Sequence, residues 1–270
     1  MNETIYKRKS IRKYDQAKLD EGVLAKVREK IADLTPLYPE IRYYIDIVNK
    51  AKGSFGVSAP HYLVFCSEEK DGALENIGFV GQQMDLFFSA SGLGSCWLGM
   101  AKPEDRDASA LPHVICMAFG APAEPLHREL AEFKRKTLAE MSEGSDPRLE
   151  AARLAPSARN GQNWFFVAES GTDSTAGGTA DSTASGTTGS IADSHAGGAA
   201  GDIDVSGSGK IHCYRKTINP VVGLVMSKFP CIDMGIALCH IAEESESFEF
   251  GKDAGAPERK GYVYAGTVGV

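Results

Sequence analysis

No apolar run in the chain approaches the ~20 residues that a membrane span needs, and the first ten residues, MNETIYKRKS, lack the apolar core of a secretory leader. A cytoplasmic protein without a membrane partner is the resulting expectation. An excess of positive charge is missing too: 29 Lys and Arg stand against 36 Asp and Glu, a formal net charge of −7. A surface that follows a nucleic-acid backbone needs a dominant basic face, so no nucleic acid is expected as a partner and any anion site must be local. The six cysteines (Cys66, Cys96, Cys116, Cys213, Cys231, Cys239) form no CxxC and no cluster with the six histidines. They read as buried thiols in a reducing compartment, and no metal site is expected. GxSxG, HExxH and a dinucleotide-binding glycine fingerprint are all absent. His61, His113 and His212 fall at strand starts or within strands and His240 on a helix, where they read as packed side chains rather than as acid–base catalysts.

What is present is a mixture of helical and strand periodicities. LDEGVLAKVREKIADL places Leu19, Val23, Leu24, Val27, Ile31 and Leu34 at helical spacing, with the charges opposite. Strand-like runs cover 41–48, 61–67 and 113–120. Between the last two, an apolar helix starting at Asn76 must stop at Gly92, a natural residue after a helix C-cap, and SCWLGM then reads as a short buried strand. The second half repeats this order: NWFFVAE (163–169) and KIHCYRK (210–216) answer the first two strands, CIDMGIALCHIAEE (231–244) the central helix and KGYVYAGTV (260–268) the last strand. The simplest account is an internal duplication, with a first half over 1–135 and a second over 136–270. GLGSCWLGM in one half is answered only by ESFEFGKD in the other, and no place in the first half is expected to match the loop RLAPSARNGQNW. Residues 170–209, almost all Gly, Ser, Thr, Ala and Asp, cannot bury enough apolar surface to offset their ordering entropy and read as a disordered loop insertion.

Two stretches carry candidate chemistry. In KRKSIRKYD, Arg8, Ser10 and Arg12 share one face of an extended segment, so two guanidinium forks and a hydroxyl could converge on a phosphate. The same residues also suit a solvated basic stretch beside a helix start. APSARNGQ places Pro156, Ser157, Asn160 and Gln162 just after the helix DPRLEAARLA, either as a helix-ending loop or as a ligand wall. The glycines Gly92, Gly94 and Gly99 suit tight turns or the close approach of a flat ligand.

Taken together, RKSIRKY, APSARNGQNW and an apolar helix ending in GLGSCWLG resemble the nitroreductase family of flavin-dependent oxidoreductases, over nearly the whole chain apart from the insertion. The loop follows GLGSCWLG here rather than preceding it, which is similar to the fused single-chain branch called putative TM nitroreductases. The resemblance implies an α+β fold of antiparallel-rich sheets packed with helices, in two pseudo-symmetric halves that act as a built-in dimer. It implies one FMN per chain, an empty second pseudo-site, and either a monomer or a further homo-oligomer. It assigns Arg8, Lys9 and Ser10 to the FMN phosphate, with Lys134 and Arg135 as further cations, and Arg12 to the pyrimidine edge of the ring, where a cation stabilises charge that develops on reduction. Trp97, Leu98 and Gly99 would present backbone to the flavin, and Pro156, Ser157, Ala158, Asn160 and Gln162 would line the other side. Asn163 stands where many relatives have proline, and the asparagine that many members use on the pyrimidine has no clear match.

The implied activity is NADH- or NADPH-dependent transfer of two electrons through FMN to a small-molecule acceptor such as a nitroaromatic or quinone, by ping-pong turnover without a protein nucleophile. An FMN-binding redox sensor or carrier and a cofactor-free scaffold are the alternatives. Asp233 and Gly235 read as structural, and the acceptor cleft is expected from LYPEIRYY and the segments near Met226 and Phe229.

Overall fold

The computed structural model describes residues 3–54, 56–104, 111–169, 209–217 and 227–269. The insertion expected over 170–209 lies outside the described residues except for Gly209, and Met226 lies outside them as well.

β1 (Tyr43–Val48), β2 (His61–Ser67), β3 (Gly94–Leu98) and β4 (His113–Gly120) form an antiparallel sheet in the order β1-β2-β4-β3. β5 (Trp164–Glu169), β6 (Lys210–Lys216), β7 (Phe250–Gly251) and β8 (Tyr262–Val268) form a second in the order β5-β6-β8-β7, with Ser142–Glu143 added in parallel beside β5. The two orders are the same permutation of strands. β2 is buried at every position, which explains its unbroken apolar run: the main core covers one face of its sheet, and a smaller cluster holding Ile11 and Tyr14 covers the other.

Among the described residues four main helices pack with the sheets: α1 (Glu21–Ala32), α2 (Ala73–Ala90), α3 (Arg148–Leu154) and α4 (Phe229–Glu243). Asp20 caps α1, its side chain accepting from Val23 N–H at 2.9 Å. α2 starts three residues earlier than the sequence suggests and ends at the expected place. Gly92 there takes φ +80°, and Leu93 N–H reaches back to Phe88 C=O at 2.8 Å, the closing bond of a Schellman motif. α4 starts two residues earlier than expected because Pro230, which needs no N–H partner in the first turn, is accommodated there.

α2 and α4 cross at the centre through a reciprocal pair of glycines. A Cβ on Gly78 would lie 2.1 Å from Ile232 O, and one on Gly235 would lie 1.9 Å from Glu75 O. Each glycine thus touches the backbone of the residue three before its counterpart, as a local two-fold axis between the helices requires. One continuous core surrounds this crossing, with Ile77 and Met84 of α2, Met234 and Leu238 of α4, Phe65 of the first sheet and Phe166 of the second. The halves therefore share a core rather than owning one each.

Candidate functional site

The N-terminal segment is extended, as its alternation suggests. Ile11 is fully buried, its N–H donates to Ser95 C=O at 2.9 Å, and Arg12 next to it is exposed. This contact lays the segment along the free edge of β3, and from there Ser10 and Arg12 reach a cavity of about 580 Å³. Cys96, Trp97, Leu98, Gly99 and Met100 form its second wall, at the end of β3. Pro156, Ser157, Ala158 and Arg159 form a third, and Phe229, Ile232, Asp233 and Ile236 a fourth. Those last positions follow i, i+3, i+4, i+7 spacing, one face of α4. Two walls thus come from each half of the chain. A larger open groove of about 1100 Å³ along the edge of β1 contains none of the candidate residues.

Eight of the fourteen expected cofactor residues line the cavity: Ser10, Arg12, Trp97, Leu98, Gly99, Pro156, Ser157 and Ala158. The other six do not. Arg8 is 1% exposed and its Nε lies 2.8 Å from Asp85 Oδ2. Lys9 is half-buried outside the lining. Asn160 accepts from Arg135 Nη1 at 2.5 Å and donates to Lys134 C=O at 2.7 Å. Gln162 accepts from Lys136 N–H through Oε1 at 2.7 Å and donates to Asn160 C=O at 3.1 Å. These contacts hold the loop in shape. Arg159, Asn160 and Gln162 all have positive φ (53°, 55° and 48°) without being glycine, a backbone strain of about 1–3 kcal/mol each that neighbouring bonds must offset.

Asp85 anchors a buried polar network that fixes Trp97. Ser95 Oγ donates to its Oδ1 at 2.6 Å and Gln82 Nε2 to its Oδ2 at 3.0 Å. Gln82 Oε1 accepts from Trp97 Nε1 at 3.3 Å, and Gln82 Nε2 lies 3.0 Å from His240 Nε2. His240 Nδ1 lies 2.8 Å from Ala151 C=O, so the neutral ring with its proton on Nδ1 satisfies both contacts. Burial pushes its pKa down to about 3, and its role is structural.

The electrostatics are uneven around the loop. Burial is the first cause that lowers Arg135 to about 9, and Arg128, Arg8 and Arg153 add repulsion. Burial and then Arg8 lower Arg128 to about 10, with Glu132 opposing. Arg135 Nε is buried without a partner. Positive charges gathered around a buried Arg135 that leaves one donor unused fit an anion not supplied by the chain. On the cavity wall, burial lifts Asp233 to about 7 against the opposing bond from Ala158 N–H.

Sequence reasoning missed Arg128 as a clustered cation; it read Asp233 as structural, which the Ala158 N–H bond bears out, but did not place it on the cavity wall. A signal existed for Asp233, an acid on a helix whose flanks are otherwise apolar. Arg128 carried none, because only folding brings it beside Arg8, whose C=O accepts from its Nε at 3.1 Å.

The pseudo-symmetric place in the other half is filled. Trp97 faces Met117, which faces Leu63; Phe250 likewise faces Val268, which faces Ile211. Phe250 is therefore the counterpart of Trp97. Asn76 Oδ1 accepts from Tyr38 N–H at 3.1 Å as Asp233 Oδ1 accepts from Ala158 N–H at 2.9 Å. Tyr38 thus stands where Ala158 does, and its ring lies 6.1 Å from that of Phe250. Against Gly72, the helical counterpart of Phe229, a Cβ would lie 2.6 Å from the Tyr38 ring. The segment LTPLYPE is thus the first half's version of LAPSARN, a match that the sequence reading did not find. LYPEIRYY, expected to shape the acceptor cleft, provides no lining residue of the cavity, whereas Phe229 does.

Among the described residues, no group of three or more His, Cys, Asp or Glu could hold a metal ion, and no helix is long and apolar enough to cross a membrane.

Residues 1–195 match the family described as "Putative TM nitroreductase". The chain is similar to the crystal structure of a putative nitroreductase from Thermotoga maritima, at 20% identity and TM-score 0.56, covering 99% of this chain and 92% of that one. A structure described as an FMN-dependent nitroreductase from Clostridium difficile is similar at 18% identity and TM-score 0.39, over 48% of this chain and 90% of that one. No curated protein matches the chain.

Proposed function

The chain belongs to the family described as Putative TM nitroreductase, a family of oxidoreductases, and on that premise we propose that it binds one FMN in the cavity shared by its halves and passes electrons from NADH or NADPH to a small aromatic acceptor, a nitroaromatic or a quinone. The observation that carries this reading is a cavity lined by the rings of Trp97 and Phe229, with Ser10 at its edge accepting from Arg8 Nη2 at 3.4 Å while Arg8 C=O accepts from Arg128 Nε at 3.1 Å.

Arg135 and Arg128, with Ser10 at the cavity edge, are suited to the phosphate. Arg12 is the cation for the pyrimidine edge, and the backbone of Leu98 and Gly99 supplies N–H groups at the opposite wall. FMN, when bound, supplies two-electron chemistry, which the chain's own side chains cannot. The residues bind, orient and exclude water. Arg8 acts at one remove: its pair with Asp85 secures Ser95 and Gln82, and Gln82 sets the Trp97 indole. Gly99 permits close packing, since a Cβ there would lie 2.5 Å from the Phe229 ring. The reading includes a duplicated chain divided near 135/136 and a protein that needs no second copy to complete its site.

An absorbance spectrum of the purified protein, with FMN released by acid and counted, tests it. About one FMN per chain, bleached by NADH or NADPH and recoloured by a quinone in ping-pong kinetics, is expected. A protein that stays colourless after incubation with FMN overturns it.

A further inference from the structure

Among the described residues Asp233 is the one acid on the cavity wall, and the proposed function leaves it unused. It is 3% exposed, between Ile232 and Met234. Its Oδ1 accepts from Ala158 N–H at 2.9 Å, while Oδ2 is buried with no partner. An ionised carboxylate oxygen in that position has neither water nor a donor to stabilise it.

The other half of the molecule supplies the control. Asn76 occupies the matching position, two residues before the crossing glycine, and its Oδ1 holds the Tyr38 N–H in the same way. Its remaining polar atom, Nδ2, is likewise buried without a partner. Holding the loop therefore requires only a carbonyl oxygen, which an amide provides. What the acid adds is a proton that can be gained and lost, and it stands only where there is a cavity.

We propose that Asp233 is the proton-holding group of this cavity: a ring laid against its wall covers the little exposure the side chain keeps and holds the carboxyl in its acid form, so that loading the cavity takes up a proton. The inference rests on the FMN reading. The charged and titratable groups facing this wall are Arg12 from the N-terminal segment, Arg159 from the loop, Cys96 from β3 and Cys231 from α4 itself. Cys231 is tied to Arg215, whose Nη1 lies 2.8 Å from the sulfur and whose Nε pairs with Glu75 at 3.3 Å. Burial, not any of these charges, sets the direction of Asp233's shift.

The test measures FMN binding by fluorescence quenching from pH 6 to 9 in the wild type and in Asp233→Asn, together with calorimetry in buffers of different ionisation heat to count protons. Asparagine keeps Oδ1 for Ala158 and places Nδ2 where Oδ2 was, an arrangement that the fold already tolerates at Asn76. Ionisations of FMN itself are common to both proteins and cancel in the ratio of their Kd values. Above pH 7 the wild-type Kd should rise relative to the variant by about tenfold per pH unit. At pH 8 the wild type should take up close to one proton more per FMN than the variant. FMN bound at one per chain with a flat ratio and equal proton counts overturns the inference alone. Failure of both proteins to bind FMN at any pH overturns the FMN reading, and this inference with it.

Discussion

The half of the molecule in which Ala158 lines one cavity with Trp97 and Phe229 leaves room for a ligand, while the half that places Tyr38 against Phe250 and Gly72 closes the matching space with a phenol ring. Backbone, strand order, helix crossing and loop-to-helix hydrogen bond are held in common. The halves differ in where volume and charge are put. Arg8, hydrogen-bonded to Ser10 at the cavity edge, and Arg128 beside it stand at the open half, and the acid at Asp233 has an amide, Asn76, as its counterpart. Two copies of a fold can thus keep one site by filling the other, at the cost of few residues, because a shared core needs both halves for stability whether or not both bind anything.

The comparison breaks most completely if the open space is closed. Ala158→Tyr should bring a Tyr38-like ring into the cavity and weaken FMN binding by at least about 1,000-fold, on the order of 4 kcal/mol, with the thermal transition largely kept; a flavin titration reads it. The converse, Tyr38→Ala, should leave the count at one FMN per chain, since no matching cation cluster stands there.

The crossing glycines should respond alike. Gly78→Ala and Gly235→Ala each drive a methyl into backbone, and each should cost about 3 kcal/mol, a fall of about 6–12 °C in Tm. Unequal losses, with one variant near wild type, would show that the axis is not a true two-fold.

Removing a cation should affect one half only. Arg135→Met should weaken FMN by about 30-fold, the ~2 kcal/mol of a charge-assisted bond, and should leave binding less sensitive to salt.

The smallest effect separates the acid from its amide counterpart in the empty protein. Asp233 has its folded pKa raised to about 7, above the ~3.9 of an unfolded Asp, so the folded state holds more protons between those values and loses stability as pH rises through them. His240 is lowered to about 3, so its contribution has the opposite sign and rises with pH between about 3 and 6.5. Between pH 5 and 7 the wild type should therefore lose about 1–2 kcal/mol relative to Asp233→Asn, measured as the difference between their urea midpoints.

Much of the frame was legible in the sequence because burial periodicity is local. The runs at 61–67 and 113–120 and the strand at 210–216 coincide with β2, β4 and β6, and the stop at Gly92 followed from a backbone angle that glycine adopts readily. Pairing the halves strand by strand anticipated the common sheet order. LTPLYPE escaped notice as the partner of LAPSARN because Leu34 with Leu154 and Pro36 with Pro156 are all the identities they share; the likeness lies in a hydrogen bond to a helix, which only the fold displays. Arg8 was legible in part. It sits beside Ser10 as alternation suggests, Nη2 donating to Ser10 Oγ at 3.4 Å, but its pair with Asp85 in the interior is a long-range contact that spacing does not show.

By itself, the sequence determined the elements, their duplication, the sign of the surface charge and the segments from which a ligand site could be drawn, since each depends on side-chain type and short-range spacing. Tertiary structure alone decided which copy stays open, which arginines gather and which acid meets the cavity. Those outcomes depend on distances between residues as far apart as Ser10 and Asp233, and they are set by how two helices approach at Gly78 and Gly235, not by anything either segment carries alone.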